Sequence, residues 1–529
     1  MIRRGSSGLV ESLRKPGCYP HPVEEVKVLE THASSILLTG AFAYKIKKPV
    51  NLGFLDFTTI GARRFYCEEE LRINRRTAPD VYLDVLPITG TEAAPVVGGA
   101  GPAIEYAVRM RQFPQEALLD RIARAGGLSS RHVDLLAQGL ARFHERAARA
   151  APDSTHGSAE AVGSAADQNF EQMQPIVEEQ RDIARLSALR AWTLSQSGAL
   201  AGVFNQRKQA GFVRECHGDL HLGNIALLAG VPTPFDGIEF SADFRWIDVM
   251  SDIAFLVMDL HDHGLPALAW RLLNRYLEVS GDFAGLGVLR FYCVYRALVR
   301  AKVSRIRARQ PDVAAPEKDR SMQEYRRLLG LAERLAGRSP VAMILMHGLS
   351  GSGKTVAAQA LLEELGAIRI RSDIERRRTH GIAESARSGA GINSGIYSPT
   401  ARMQIYSRMR AIAQEVLAAG YTVIADAAFL QRPQRELFRS MARSDHIPLA
   451  IVSCHARAES LRRRVALREQ SGEDASEAGI AVLENQLATQ DPLDDEEMEY
   501  WIEVDTESGD QAFDRAAKTL ARRLFQRAL

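Results

Sequence analysis

Short alternating stretches open the chain. Residues 23–32 (VEEVKVLETH) and 34–50 (SSILLTGAFAYKIKKPV) place apolar and β-branched residues at every second position, the spacing of half-buried strands. FYCEEELRINRRTAP (65–79) has helical spacing and stops at its proline. YLDVLPIT (82–89) and IEYAVRMRQF (104–113) predict two more strands around a turn-rich AAPVVGGAGP (93–102). Beyond Pro114 the spacing lengthens to threes and fours, as in HVDLLAQGLARFHERA (132–147), and predicts helices to about Arg309. The Ala/Ser/Gly-rich run 147–163 reads as a mobile loop, and QPDVAAPEKD (310–319) as a break. MQEYRRLLGLAERLA (322–336) is a further helix leading to GRSP, a candidate boundary near Ser339. The rest alternates short apolar runs with helical text: VAMILMHG, AIRIRSD, YTVIADA, LAIVSCHA and WIEVDT, the pattern of a parallel α/β sheet.

Length agrees with that division, since 529 residues exceed what one core usually organises. A 46% hydrophobic, 25% charged composition excludes wholesale disorder and fibrous repeats. With 67 basic against 65 acidic residues, the formal charge is +2, which offers no global case for a nucleic-acid or membrane-surface binder. The first 17 residues are basic without an apolar stretch, which is not the pattern of a secretory signal. Five scattered cysteines suggest neither a disulfide framework nor a zinc site, and a reducing cytoplasm is the expected compartment. Only ten of the basic residues are lysines, so three between Lys45 and Lys48 and a lone Lys354 call for a reason.

Lys354 has one. VAMILMH runs into GLSGSGKT and then the helical VAAQALLEELG, a G-x-x-x-x-G-K-T loop between strand and helix. Gly348, Gly351, Ser352 and Gly353 would turn backbone amides toward phosphate oxygens at a helix N-terminus. Lys354 would reach the β- and γ-phosphates, and the Thr355 hydroxyl would hold Mg²⁺. Asp426, at the end of its strand, is the second expected Mg²⁺ group, and Asp373 ends a neighbouring strand with Arg376 one turn on. Arg462, Arg464 and Arg468 lie on one helix, from which Arg464 above all is expected to close over the transferred phosphoryl.

Residues 341–529 resemble the small P-loop kinases, a group that includes gluconate kinase, chloramphenicol phosphotransferase, zeta-toxin-like and polynucleotide 5′-kinase domains. The likeness rests on GLSGSGKT, on Ser372-Asp373-Ile374-Glu375-Arg376 and on AGYTVIADAAFLQRPQR. It implies that Asp373 deprotonates an acceptor hydroxyl and that Arg376 helps to bind the acceptor. SARSGAGINSGIYSP (385–399) reads as a loop over that acceptor.

The front part has its own constellation. CHGDLHLGNIALL is followed by PFDGIEF, giving H-x-D-x-x-x-x-N with a second aspartate twelve residues on. Asp219 suits the carboxylate beside an acceptor hydroxyl; Asn224 and Asp236 suit Mg²⁺, which prefers oxygen ligands. His217 and His221 lack a third ligand at zinc spacing, and His217 is expected to orient the loop. From Val26 to Arg309 the sequence resembles the aminoglycoside phosphotransferases and the wider protein-kinase-like fold. That likeness implies a strand lysine for the α/β-phosphates, Lys45 or, on the same face, Lys47, with Glu69 or Glu70 as its helix partner, Glu70 being preferred. It also implies an interlobe hinge at Met110 to Gln112 offering backbone hydrogen bonds to adenine, and a structural His144. Asp248 and Asp252 are read as supports of the catalytic loop, and Asp259, Asp262 and Glu278 as candidates for an acidic acceptor cleft.

The expected architecture is therefore an α+β, two-lobed kinase-like domain (20–113 and 114–335) followed by an α/β P-loop domain with a parallel sheet (340–529). The expected function is a bifunctional kinase of small molecules using ATP and Mg²⁺, with hydroxyl compounds as partners and neither membrane nor nucleic acid. The alternatives are an ATP-binding regulatory module on a phosphotransferase-like binding domain, and a polynucleotide 5′-kinase.

Overall fold

In the computed structural model, residues 7–51, 53, 55–311, 313–338, 340–382, 395–471 and 479–525 are described; Ser339 and most of the expected acceptor loop, 385–394, lie outside them. The chain forms two units, Met1–Asp259 with Tyr295–Tyr325, and Leu260–Val294 with Arg326–Leu529.

Alternation in the opening third becomes antiparallel sheet. Strands β1 (Lys27–Glu30), β2 (Ser34–Leu38), β3 (Phe42–Lys47), β4 (Tyr82–Thr91), β5 (Ala94–Val97) and β6 (Ala103–Arg111) pair in the order β1-β2-β3-β6-β4-β5. The fifth strand falls in the stretch read as a turn. Gly90 permits its tight hairpin, because at φ +86° a Cβ would lie 2.4 Å from the Ala94 carbonyl oxygen. The helix Ile60–Asn74, capped by Thr59 accepting from the Ala62 amide, turns Cys67, Glu70 and Ile73 inward. Ala43, Val81, Tyr82, Val108 and Met110 form the core on that face.

Helical text supplies the rest of this unit, including Ser130–Arg146 and Gln180–Gln209. The loop expected over 147–163 is shorter than its composition suggests: Ser158 caps a helix, Ala159–Met173, and the Ala150 amide donates to Val213 O. Two small antiparallel pairs frame the H-x-D segment. They join β7 (Val213–Glu215) to β10 (Trp246–Asp248), and β8 (Ile225–Leu228) to β9 (Val231–Pro234). The helix Val249–Asp262 follows directly. This is the two-lobed, α+β protein-kinase-like fold.

The second unit is α/β. Strands β11 (Met343–His347), β12 (Ile368–Arg371), β13 (Val423–Asp426), β14 (Leu449–His455) and β15 (Trp501–Asp505) are all parallel, in the order β12-β13-β11-β14-β15. Ile344, Met346, Leu361, Val452, Val504 and Leu520 pack one face of the sheet against the helices Lys354–Leu365 and Asp510–Phe525. Edge strand β12 is covered by the helix Pro266–Ser280, whose Asn274 donates to Ala367 O (2.9 Å) and accepts from the Arg369 amide (2.6 Å). All five cysteines are free and buried. Among the described residues no helix is long and apolar enough to cross a membrane.

Candidate active sites

In the first unit β3 aims two lysines at one carboxylate of the helix Ile60–Asn74. Lys45 Nζ lies 2.7 Å from Glu70 Oε1, and Lys47 Nζ lies 2.8 Å from Glu70 Oε2. Lys45 also donates to Asp236 Oδ1 at 2.6 Å, and Lys47 to Glu239. Glu69 turns away to Arg72 and Arg245, which settles the helix partner as Glu70. Burial opposes the charge on Lys45, but Asp236, Glu70 and Glu239 outweigh it and hold the ammonium well above its ordinary pKa.

The H-x-D segment is braced from several sides. Asp252 accepts from the His217 amide (2.8 Å) and the Gly218 amide (2.9 Å), with His144 Nε2 at 3.4 Å. Arg296 donates to Gly218 O, and Asp259 accepts from the Leu222 amide. His217 Nε2 donates to Phe235 O at 2.9 Å, tying the loop to the residue before Asp236. Asn224 Nδ2 donates to Asp219 O (3.0 Å) and Oδ2 (2.9 Å), while the Phe235 amide donates to Asn224 O (2.9 Å). Asp219, Asn224 and Asp236 are thereby gathered within one loop cluster. His221 Nδ1 accepts from the Gly223 amide, so its Nε2 carries the proton and faces Asp219 Oδ2 at 3.5 Å. Burial pushes Asp219 up; His221, His217 and Arg296 outweigh it and keep the carboxyl far below its usual range. One oxygen of Asp219 is thus held, and Oδ1 has no partner among the described residues. Asp236 sits at φ 60°, in the left-handed region that aspartate tolerates better than most non-glycine residues.

Three expectations change here. Asp248 does not touch the loop: it makes a two-pronged pair with Arg207 (2.7 and 2.8 Å) and caps the Met250 amide. Gln112 offers no amide to adenine, since its N–H donates to Ala41 O and that of Arg111 to Val81 O. Met110 is inside the ladder between Ala43 and Tyr82. Phe113 is the first residue past the strand whose amide donates to nothing among the described residues. Its ring meets Phe235 edge-on, in the apolar cluster that also holds Leu38, Met110 and Leu228. Nor do Asp259, Asp262 and Glu278 line an acidic cleft, being paired with Arg300, Arg327 and Arg369 respectively.

In the second unit, β11 delivers Gly348 to the sheet's C-terminal edge. At φ 137° a Cβ on Gly348 would lie 2.3 Å from Cys454 O and 2.8 Å from Ser352 Oγ. Gly348→Ala is therefore expected to open the loop and weaken ATP binding to this unit about tenfold or more, from strain of about 1–3 kcal/mol. Loss of ATP protection in hydrogen exchange over residues 343–365 checks it. Lys354 Nζ donates to Leu349 O (2.7 Å) and shares its surroundings with Asp426 and Asp373. Gly351 and Gly353 hold positive φ, and Thr355 stands at the second position of the helix. Asp373 accepts from Arg376 at 2.7 Å, so the two expected acceptor residues meet; burial raises Asp373, but Arg376, Arg371 and Arg468 hold it below its ordinary value.

Arg464 is not poised over a phosphoryl group. It donates to Gly351 O (3.3 Å), Thr506 Oγ1 (2.8 Å) and Thr506 O (3.1 Å), bracing the loop against the end of β15. Arg462 pairs with Glu484 at the surface. Arg468, one turn beyond Arg464, is the arginine of the three whose charge is felt by both Lys354 and Asp373.

Both sites fit a divalent cation. Asn224 commits its nitrogen to Asp219 and leaves its Oδ1, and its backbone is tied to Phe235, the neighbour of Asp236. Asp426 is buried, with Arg371 3.9 Å away; burial raises its pKa against the opposing charges of Arg371, Arg369 and Lys354, and a hard cation suits such an oxygen.

A strand lysine with its helix glutamate above an H-x-D-x-x-x-x-N loop defines a protein-kinase-like phosphotransferase fold, and the second unit is a P-loop NTPase. Residues 343–493 match the family model described as AAA domain. The chain belongs to the family of the uncharacterized proteins Rv2004c of Mycobacterium tuberculosis and Mb2027c of Mycobacterium bovis. Each is 30% identical over 474 residues, covering 88% of this chain and 91% of the relative. Among solved structures, similarity extends to a gluconokinase from Sinorhizobium meliloti 1021 (22% identity, TM-score 0.26, 36% of this chain and 100% of that one). It extends also to a choline kinase from Cryptosporidium parvum Iowa II (10% identity, TM-score 0.37, 59% and 89%).

Proposed function

We propose that the protein is an ATP-dependent kinase with two centres, each transferring the γ-phosphate of MgATP to a hydroxyl of a small molecule. The observation that carries the reading is Lys45 Nζ, held at once by Glu70 and by Asp236, 191 residues away in sequence. A strand lysine shared between a helix acid and a loop aspartate is the arrangement that triphosphate binding asks for, and the apolar side chains around Phe113 suit a base.

In the first unit Lys45 binds the α/β-phosphates, Asn224 Oδ1 and Asp236 hold the cation, and Phe113 and Leu38 receive adenine. Asp219 Oδ1 takes the hydroxyl proton as the acceptor oxygen bonds to phosphorus and the bond to the bridging oxygen of ADP breaks. Asn224 and His221 on the other oxygen keep that carboxylate ionised and aimed. In the second unit Lys354 and the loop amides take the phosphates, Thr355 and Asp426 hold the cation, Asp373 receives the proton and Arg468 approaches the transferred group. When bound, Mg²⁺ supplies neutralisation of the phosphate charge.

The test is a screen of metabolite fractions for acceptor-dependent ADP release, run on Asp219→Ala and Asp373→Ala beside the parent. Each variant is expected to lose one acceptor-dependent activity and to keep ATP binding. If no hydroxyl compound stimulates turnover and both variants hydrolyse ATP like the parent, the chain is an ATP-binding regulator instead.

A further inference from the structure

The sequence pattern asks for one lysine and one glutamate above the nucleotide; the structure has a second pair behind them. Lys47 is 1% exposed and Glu70 is not exposed at all. An ammonium so deep is tolerated only if it is fully paired, and Lys47 is held by Glu70 Oε2, by Glu239, and over the Phe57 ring at 4.9 Å. Glu239 is fixed in turn, since Arg245 donates to its carbonyl oxygen at 3.0 Å. Burial and Lys47 pull the Glu239 carboxyl in opposite directions, and burial with Glu70 prevails, raising it.

The two oxygens of Glu70 are divided, Oε1 to Lys45 and Oε2 to Lys47. Lys45 is divided as well, between Glu70 and Asp236. A triphosphate arriving at Lys45 competes with Asp236 and Glu70 for it, and a lone glutamate would then be left buried without a cation. Lys47 removes that penalty, because Glu70 keeps one ammonium whatever Lys45 does. Glu239 stands three residues after Asp236, so the same pair ties the helix Ile60–Asn74 to the segment bearing the cation-binding aspartate.

We infer that Lys47 and Glu239 are positioning residues of the first unit's nucleotide site: they lock Glu70, and through it Lys45, in the ATP-ready arrangement before ATP binds. The inference rests on the kinase reading of that unit. It makes the lysine–glutamate pair a permanent part of the fold rather than one assembled by movement of the helix.

The experiment uses the full chain carrying Lys354→Met, so that MgATP titrated calorimetrically reports the first unit. Replacing both partners (Lys47→Met with Glu239→Leu) leaves no unpaired charge between them and is expected to keep the unliganded thermal stability. MgATP affinity is expected to fall about tenfold or more, the scale of losing a group that orients a ligand-binding side chain. Affinity within about twofold of the parent overturns the inference, provided Lys45→Met loses binding. Normal binding in Lys45→Met as well overturns the kinase reading and the inference with it. Should the double variant not fold, Glu239→Gln keeps shape and removes charge; weakened MgATP binding at unchanged stability supports the positioning role, and unchanged binding overturns it.

Discussion

Asp219→Asn is expected to slow phosphoryl transfer by the first unit about 10²–10⁴-fold, the usual contribution of a positioned proton acceptor, with ATP affinity changed by less than about twofold. The asparagine keeps the contact from Asn224 on Oδ2 (2.9 Å) and loses only the charge and the capacity to take a proton. Single-turnover kinetics with the acceptor found in the screen separate the two quantities. Because His221 and His217 are among the groups that hold Asp219 ionised, His221→Ala raises the lower limb of the pH–rate profile without removing activity. If Asp219→Asn turns over like the parent, Asp219 is a structural loop residue and the proton has another destination.

The two motif loops were readable because their residues are local. G-x-x-x-x-G-K-T and H-x-D-x-x-x-x-N each place their groups within eight residues, and all five parallel strands of the second unit were visible as apolar runs. Helix face and distant pairing were not. Arg464 and Arg468 are one turn apart, and only packing against β15 shows that the first is a brace. Asp248 and Asp252 have helical spacing, yet the helix begins at Val249, so Asp248 precedes it and turns to Arg207 instead. Glu239 meets Lys47 across 192 residues, and no spacing rule connects them.

The second large effect concerns a pair that no motif announced. Arg435 and Glu497 are wholly buried and joined at 2.8 and 2.9 Å, and Arg435 also donates to Phe429 O and Pro492 O. Arg435→Met removes the two-pronged partner of the buried Glu497 carboxylate and leaves it Arg439, 3.3 Å away, so the second unit is expected to lose about 3 kcal/mol, the lower end for breaking a buried pair. Adding Glu497→Leu is expected to recover most of that loss, because the pair is then replaced by apolar volume. Burial raises the Glu497 carboxyl, but Arg435 and the Asp494 amide bring it below its ordinary value. Its contribution is therefore complete above about pH 4.3, the unfolded value, and fades as pH falls below that. Denaturant-dependent hydrogen exchange over residues 423–455 measures both effects. A loss under about 1 kcal/mol in Arg435→Met would mean that Arg439 or water takes the place of Arg435.

The helix Pro266–Ser280 finishes the edge of a sheet whose first strand begins about seventy residues later. Arg369, which it holds through Glu278, reaches on to the carbonyl of Thr355. The phosphate-binding module is thus not a cassette that can be lifted out by a single cut. A gene fragment starting at its GKT strand would produce a sheet with a raw margin, prone to stick to its own copies, and a Thr355 missing its outermost strut.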